Sequence, residues 1–295
     1  MTTLLHDRAP RLVNLTVSPS LSGRPCIWAV QTCHDVDMMR TVAVLNQKGG
    51  VGKTTVTLGL ASAAAAAGRR ILVVDADPQS ASTWVLGHDP AEIGGSLADL
   101  LDDEPTADDV RDTVVTSAWS DLVHILPGSP RLQEYERGSK KRMRRAIDLV
   151  AADYDVVLID CPPSLGTLTR SALTASRHAL IVVEPSALGL RGIGGVADAI
   201  DEVWDSTNPD LVLSGVVLNR VPAISSEAER RIDELTRIVG RSAIWKPSVP
   251  QRVVLNQAIG ERRPVHHYGY RASDPIDAFD RLWRKLDATV RRAAD

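Results

Sequence analysis

The sequence predicts an α/β protein with one doubly wound, mostly parallel sheet that has helices on both faces. Two observations lead to this fold class. Short apolar runs rich in β-branched residues alternate with helical stretches along most of the 295 residues. The runs are apolar throughout, which indicates strands buried on both sides and therefore a parallel sheet covered by helices. With 44% hydrophobic and 24% charged residues, the composition is that of a globular protein.

Six strands and six helices are predicted, and a seventh strand is indicated weakly. The predicted strands cover residues 41–46, 71–75, 122–126, 156–160, 179–184 and 213–218, with 243–245 as the weak one. The predicted helices lie near residues 53–67, 131–151, 167–176, 193–205, 227–239 and 274–293. Because neither a linker nor an internal repeat interrupts this pattern, we predict that residues 40–295 form one domain.

The first part of the chain has a different character. Residues 1–39 mix Pro, Ser, Thr and Arg with scattered apolar residues and show no sustained period of 2 or 3.6. We predict that they form a flexible N-terminal arm. The arm lacks the continuous apolar stretch that a secretory signal contains. No apolar run in the chain approaches the ~20 residues needed to span a bilayer. Three cysteines are too few for a disulfide framework, so a cytoplasmic location is expected.

A glycine-rich segment lies between the first predicted strand and the first predicted helix. Its residues are Lys48, Gly49, Gly50, Val51, Gly52, Lys53, Thr54 and Thr55. Strand, glycine-rich loop and helix form the context of a phosphate-binding loop, in which backbone N–H groups and the helix N-terminus surround an anion. Lys53 can then reach the β- and γ-phosphates of ATP, while the Thr54 hydroxyl can bind Mg²⁺. An ordinary phosphate-binding loop has no need of the first lysine, Lys48.

Polar side chains end several predicted strands. Asp75 and Asp77 end the second strand, Asp160 ends the fourth, and Asn219 follows a later one. Ligands bind at the carboxyl ends of strands in open α/β sheets, so these side chains are expected beside the loop. A carboxylate after the second strand can position water or help hold Mg²⁺, and Asp160 matches a Walker B aspartate. The candidate metal ligands are Thr54, Asp77 and Asp160, whereas Asn219 can either contact a purine base or cap a turn.

These segments, in this order, resemble the ParA/Soj branch of the deviant Walker A ATPases, which are P-loop NTPases related to the cell-division regulator MinD. The resemblance covers roughly residues 40–290. It implies that Lys53 grips the nucleotide phosphates, that Lys48 reaches across a dimer interface to the partner's nucleotide, that Asp77 supports hydrolysis and that Asn219 contacts adenine. It further implies a partition ATPase that forms a homodimer with ATP, binds DNA without sequence preference and associates with the nucleoid. A ParB-type partner would stimulate its hydrolysis.

The charge distribution indicates where DNA could bind. The net charge is −3, but residues 211–272 carry 10 basic and 5 acidic side chains. This excess is either a footprint for DNA phosphates or a solvated arginine-rich surface. Its candidate contacts are Arg230, Arg231, Arg241 and Arg252. Family members often carry an arginine near Val254, and its absence here leaves the detailed DNA face open. A second basic cluster, residues 140–145, is interpreted as a solvated helix in preference to a DNA or partner contact.

Two alternative functions use the same loop. A MinD-like membrane-associated regulator would place the apolar stripe of the predicted helix 274–293 on a lipid surface. The same stripe would also pack on the domain core, and this is favoured because interleaved aspartates weaken attraction to anionic lipid. Membrane binding is therefore not expected. An iron–sulfur reductase ATPase such as nitrogenase iron protein would need bridging cysteines, and only Cys161 lies in the predicted domain.

Overall fold

The computed structural model describes residues 40–102, 104–137 and 141–294. The predicted N-terminal arm, residues 1–39, and Lys140 of the second basic cluster lie outside these described residues. The strands are Thr41–Leu45 (β1), Ile71–Asp75 (β2), Val115–Thr116 (β3), Val123–Leu126 (β4), Val156–Asp160 (β5), His178–Val183 (β6) and Val212–Leu218 (β7). They form one seven-stranded sheet in the order β3-β4-β2-β5-β1-β6-β7.

The sheet is parallel except at one edge, where β3 and β4 pair in antiparallel orientation. Strand β1 lies between β5 and β6, and β2 lies between β4 and β5. The carboxyl ends of β1, β2 and β5 are therefore neighbours, with Asp75 directly opposite Asp160. This arrangement confirms the predicted doubly wound α/β fold class and brings the predicted polar strand ends to one edge.

Helices connect these strands on both faces of the sheet. The α-helices are Lys53–Ala66 (α1), Ala81–Val85 (α2), Leu97–Asp102 (α3), Ala107–Thr113 (α4), Arg142–Asp148 (α5), Thr167–Thr174 (α6), Ala187–Arg191 (α7), Ile193–Ser206 (α8), Ser226–Val239 (α9), Val253–Gly260 (α10) and Ser273–Ala294 (α11). The 3₁₀-helices are Pro130–Arg137, Ala151–Asp153, Arg241–Ala243 and Val265–Ala272. Several of these elements were not predicted, because helices of five to eight residues hold too few apolar positions to show a period.

Five of the six predicted helices are present, with ends within two residues of the prediction. The helix predicted over 131–151 is wrong, because a 3₁₀-helix, Pro130–Arg137, precedes the separate short helix α5 in this region. Leu132 is buried and Tyr135 packs beside the same core cluster. Their spacing of three residues matches the three residues per turn of a 3₁₀-helix, which explains why the local pattern looked helical.

The weak strand predicted over 243–245 is not present as a strand. The Trp245 N–H donates to the Val216 carbonyl at 2.8 Å, and the pairing with β7 goes no further than a single bridge. Pro247 has no N–H with which to extend the ladder. The buried Trp245 ring packs on β7 instead, where a Cβ on Gly215 would lie 2.0 Å from the indole nitrogen. The apolar residues of this segment are therefore packed in the hydrophobic core and do not form a strand.

The last helix, α11, packs on α1. Its buried apolar residues are Phe279, Leu282, Trp283, Leu286 and Val290. A Cβ on Gly59 in α1 would lie 2.3 Å from the Phe279 ring, so glycine is required for this close approach. The apolar stripe faces the core, which confirms the packing interpretation of residues 274–293. Within the described ranges, no helix is both long and apolar enough to cross a bilayer.

Candidate active site

The glycine-rich loop connects β1 to α1, as the sequence predicts. Gly50 and Gly52 have φ angles of 78° and 85°, in the left-handed region that glycine adopts most easily. Gly49 and Gly50 are exposed, Val51 is buried beneath the loop, and Thr55 is half-buried in the first turn of α1. The loop therefore presents its backbone to solvent at the helix N-terminus, where N–H groups lack intrahelical partners and attract anions.

Asn219, just after β7, forms a hydrogen bond with the backbone of the loop. Its side-chain Nδ2 donates to the Val51 carbonyl at 2.8 Å, and a Cβ on Gly52 would lie 2.2 Å from that nitrogen. The opposite atom of the amide, Oδ1, is buried and has no hydrogen-bond partner among the residues that the structure describes. The structure thus places Asn219 at the loop, with its donor engaged by the protein and its acceptor unpaired there.

Asp160 lies beneath the first turn of α1 and is almost fully buried. One of its carboxylate oxygens accepts hydrogen bonds from the hydroxyls of Thr54 and Ser82, both at 2.7 Å. Burial raises the pKa of Asp160 to about 6, against the opposing effects of these hydrogen bonds and of Lys53. A hydroxyl and a carboxylate oxygen beside a phosphate-binding loop are hard donors of the kind that Mg²⁺ prefers, so these residues fit the predicted metal site.

Asp75 is the fully buried neighbour of Asp160. It accepts hydrogen bonds from the backbone N–H and the hydroxyl of Thr83, at 2.8 and 2.7 Å, and from the Asp77 N–H at 3.2 Å. Burial and then the charge of Asp160 raise the pKa of Asp75 to about 7. Asp75 therefore shapes the segment that carries Asp77, because it ties both ends of the turn to the sheet.

Asp77 and Lys53 lie near the two buried aspartates. The Asp77 side chain is half-buried and accepts the Gln79 N–H at 2.9 Å, which leaves its second oxygen for another partner. Lys53 is 7% exposed, and burial lowers the pKa of its ammonium group while the charges of Asp160, Cys161 and Asp77 oppose the shift. The site thus holds a nearly buried cation within the field of at least two carboxylates.

Lys48 occupies a different environment from Lys53. Its side chain is 30% exposed, and its ammonium nitrogen lies 3.9 Å from the carboxylate of Glu184, just beyond β6. Its backbone N–H donates to the Asn46 Oδ1 at 3.0 Å, and the Asn46 Nδ2 donates to the Val182 carbonyl at 2.5 Å. Asn46 thereby ties this end of the loop to β6, so that Lys48 lies beside Glu184 at the rim of the site.

Three positioning residues were missed at the sequence level. Ser82 and Thr83 on the short helix α2 bind the two buried aspartates, and Glu184 pairs with Lys48. A carboxylate directly after an apolar strand is the same signal that identified Asp160, and it would have identified Glu184. No periodicity or motif in the sequence identifies the hydroxyls of Ser82 and Thr83. Their role depends on the turn that brings α2 next to the carboxyl ends of β2 and β5.

The predicted DNA-binding arginines are spread over three elements. Arg230 and Arg231 on α9 form ion pairs with Glu227 at 2.6 and 2.7 Å, and Arg231 also pairs with Glu234. Arg252, at the start of α10, pairs with Asp274 at 2.6 Å, whereas Arg241 is exposed in a 3₁₀-helix. Three of the four guanidinium groups are therefore already opposed by carboxylates.

Several known proteins resemble this chain in sequence. A family model described as an AAA domain matches residues 39–213. The sporulation initiation inhibitor protein Soj of Bacillus subtilis is 33% identical over 242 residues, which cover 80% of this chain and 93% of that protein. The chromosome-partitioning ATPase Soj of Thermus thermophilus is 33% identical over 258 residues, covering 86% and 98%. This chain belongs to the ParA/Soj family of ATPases.

A solved structure supports the same fold for this ParA/Soj family member. A cobyrinic acid a,c-diamide synthase from Mycobacterium smegmatis, with bound ADP and magnesium, is 30% identical with a TM-score of 0.69. The match covers 83% of this chain and 94% of that protein. Family membership confirms the predicted deviant Walker A fold and the predicted ATPase activity. For the redox alternative, Cys161 is buried and burial raises the pKa of its thiol, which disfavours a role as a surface cluster ligand.

Proposed function

We propose that this chain is an ATP-dependent DNA partition ATPase in which ATP binding drives formation of a sandwich dimer. The contrast between the two lysines of the loop carries the proposal. Lys53 is buried within the field of Asp160 and Asp77, whereas Lys48 lies at the rim beside Glu184. This contrast supports a role for Lys53 at the nucleotide of its own protomer and a role for Lys48 at the nucleotide of another.

The residues around the loop have separate roles in ATP hydrolysis. Lys53 and the loop N–H groups neutralise the phosphates, and Thr54 with Asp160 would hold Mg²⁺. When bound, the metal supplies positive charge to the phosphate oxygens. The free oxygen of Asp77 orients the attacking water. Asn219 accepts a hydrogen bond from the adenine amino group through Oδ1, while its Nδ2 remains on the loop.

Lys48 acts on the partner's nucleotide. A lysine outside its own phosphate cradle can stabilise transition-state charge only if another protomer presents its γ-phosphate, as an arginine finger does in trans. The γ-phosphate then becomes the signal for dimerisation, and hydrolysis loosens the dimer. In this way the nucleotide state controls whether two chains stay together.

The dimer would act on DNA. Two copies of the basic region between residues 211 and 272 double the number of phosphate contacts, so the ATP dimer binds DNA without sequence preference and the monomer releases it. The DNA-bound dimer resides on the nucleoid. A ParB-type partner stimulates hydrolysis, which couples release from DNA to the cargo. The MinD-like alternative has less support, because the stripe of α11 that would meet lipid is buried against α1.

Gel filtration of the full chain with Mg²⁺ and a non-hydrolysable ATP analogue tests the proposal. Wild type is expected to elute as a dimer, whereas Lys48→Ala binds the analogue but elutes as a monomer. Lys246→Ala removes an exposed lysine outside the loop and should dimerise like wild type. A normal dimer of Lys48→Ala would refute the role in trans, and a wild-type monomer at every nucleotide concentration would refute the switch itself.

A further inference from the structure

The positive charge of residues 211–272 is concentrated in one part of that region. Helix α9 carries three basic and four acidic side chains, so it adds no net positive charge. Residues 241–271, by contrast, carry six basic side chains and one acidic side chain, Glu261. We call residues 241–271 the basic segment. An anionic polymer is attracted to this segment and not to α9.

Four arginines of the basic segment form no ion pair with a carboxylate of the described residues: Arg241, Arg262, Arg263 and Arg271. Arg263 and Arg271 are exposed, and neither forms an ion pair with any described residue. The one acid nearby, Glu261, accepts hydrogen bonds from the Tyr268 hydroxyl at 2.6 Å and the Gln257 amide at 2.8 Å. The Arg271 guanidinium lies over the Tyr268 ring, 5.9 Å from its centroid, and its charge acts on Glu261 after the two hydrogen bonds that lower the pKa of this carboxyl. Neither Arg263 nor Arg271 donates a side-chain hydrogen bond to a described residue, so their N–H groups can contact an external partner.

An exposed aromatic side chain lies between these arginines in the chain. Tyr268 is only 7% exposed, whereas Tyr270 is 89% exposed. The intervening Gly269 has a φ of 50°, a left-handed conformation that turns one tyrosine inward and the next one outward. Burial raises the pKa of Tyr268 to about 12, and the charges of Arg271 and Arg263 oppose this shift, so both arginines lie near that hydroxyl. The exposed Tyr270 follows two residues later in the chain and adds an apolar face to this charge, which is the combination found on stacking platforms for nucleic acids.

From these features we infer that the surface formed by Arg263, Tyr270 and Arg271 binds DNA. The two guanidinium groups contact backbone phosphates, and the Tyr270 ring lies against a sugar or an accessible base. This inference rests on the proposed function, because the ATP dimer would carry two such surfaces. It moves the DNA contact from the paired arginines Arg230 and Arg231 to unpaired ones.

Fluorescence anisotropy with labelled random-sequence duplex DNA, Mg²⁺ and a non-hydrolysable ATP analogue tests the surface across a salt series. For Arg263→Ala/Arg271→Ala, the slope of log K against log salt should fall by about two per protomer, since each phosphate contact contributes roughly 0.9. Arg230→Ala/Arg231→Ala removes the same net charge from α9 and should keep the wild-type slope. Equal loss in both pairs would overturn the inference, and thermal unfolding of each variant excludes misfolding.

Substitutions of the tyrosine separate stacking from charge. Tyr270→Ala should weaken DNA binding about fivefold or more, whereas Tyr270→Phe keeps the ring and should bind like wild type. A larger loss on single-stranded DNA than on duplex DNA would identify a base as the stacking partner, and an equal loss would identify the sugar. Unchanged DNA affinity of Arg263→Ala/Arg271→Ala, with lost binding to anionic vesicles, would overturn the assignment to DNA. If wild type itself fails to bind DNA with the analogue at low salt, the proposed function fails and not merely this surface.

Discussion

The Lys48 ammonium group lies 3.9 Å from the Glu184 carboxylate of the same chain, with both side chains 30% exposed. The hydrogen bonds of Asn46 attach the loop to β6 and so bring Lys48 close to Glu184. The attraction between the two charges adds little to this placement. If Lys48 must reach a second protomer, this internal partner competes with the partner's γ-phosphate. Glu184 then sets how much ATP the dimer requires.

Glu184→Gln is expected to favour dimerisation. An exposed ion pair contributes about 0.2–1 kcal/mol, so the ATP concentration at half dimerisation should fall by at most about fivefold. Sedimentation velocity over a nucleotide titration measures this shift. In Lys48→Ala/Glu184→Gln the gain should vanish, and Glu92→Gln, at another exposed acid, should have no effect. Weaker dimers of Glu184→Gln would mean that Glu184 orients Lys48 productively.

Asp77→Ala is expected to trap the ATP-bound dimer. Loss of a group that orients the attacking water typically slows turnover by 10²- to 10⁴-fold, while the phosphate cradle and the metal ligands remain. Release of phosphate and dimer lifetime should be measured together. Asp77→Asn, which keeps an oxygen for the Gln79 N–H, separates the loss of chemistry from the loss of the turn. Hydrolysis at the wild-type rate in both variants would rule out this role.

The unliganded protein is expected to lose stability as the pH rises from about 4 to 7. The pKa of Asp75 is about 7 in the folded chain, above its ordinary value of 3.8. A raised pKa in the folded state means that the stabilising contribution is complete below the unfolded value and is lost as the pH rises through the folded one. In this window Asp75 contributes a slope of up to about 1.4 kcal/mol per pH unit.

Urea denaturation at several pH values measures this slope. Asp75→Asn cannot titrate, so the dependence on pH should become shallower, although Asp160, whose pKa is about 6, retains its own part. Absolute stability of the variant is less informative, because asparagine cannot accept all the hydrogen bonds from Thr83 and Asp77. An unchanged slope would show that Asp75 is ionised in the native state at pH 5.

Gly52→Ala should abolish nucleotide binding more completely than Gly50→Ala. Both positions have positive φ, which costs a residue with a Cβ about 1–2 kcal/mol. At Gly52 the new Cβ would also lie 2.2 Å from the Asn219 Nδ2, whereas at Gly50 nothing lies within 4 Å. Calorimetric titration with ATP and Mg²⁺ compares the two variants. Equal affinities would show that Asn219 moves aside and that its contact with the loop is dispensable.

Phe279→Ala should destabilise the domain by about 3–5 kcal/mol, because its fully buried ring fills the gap over Gly59. Ile238→Ala, at a position that is 54% exposed, should change stability by less than about 0.5 kcal/mol. Equilibrium urea unfolding measures both free energies. A cost for Phe279→Ala no larger than that of the control would mean that α11 is not docked in solution.

Local features of this protein follow from its sequence, whereas long-range contacts depend on the tertiary structure. Fold class, the glycine-rich loop and the strand-end acids could be predicted, because they depend on local patterns: apolar runs, glycine spacing and the residue that ends a strand. The 3₁₀-helix Pro130–Arg137 and the short helix α2 could not, since a few residues carry no decisive period. The same limit applies to the pairing of Lys48 with Glu184, which are 136 residues apart in the chain.

The sequence by itself determined the fold class, and it predicted a site for nucleotide phosphates at the carboxyl edge of the parallel sheet. Only the tertiary structure decided which charges remain available there and elsewhere. Arg230 and Arg263 are the same residue type in the sequence. In the structure Arg230 forms an ion pair with a carboxylate on its own helix, whereas Arg263 forms none with a described residue. The reason is that opposite charges pair through space over a few ångströms, whereas a sequence records only order along the chain.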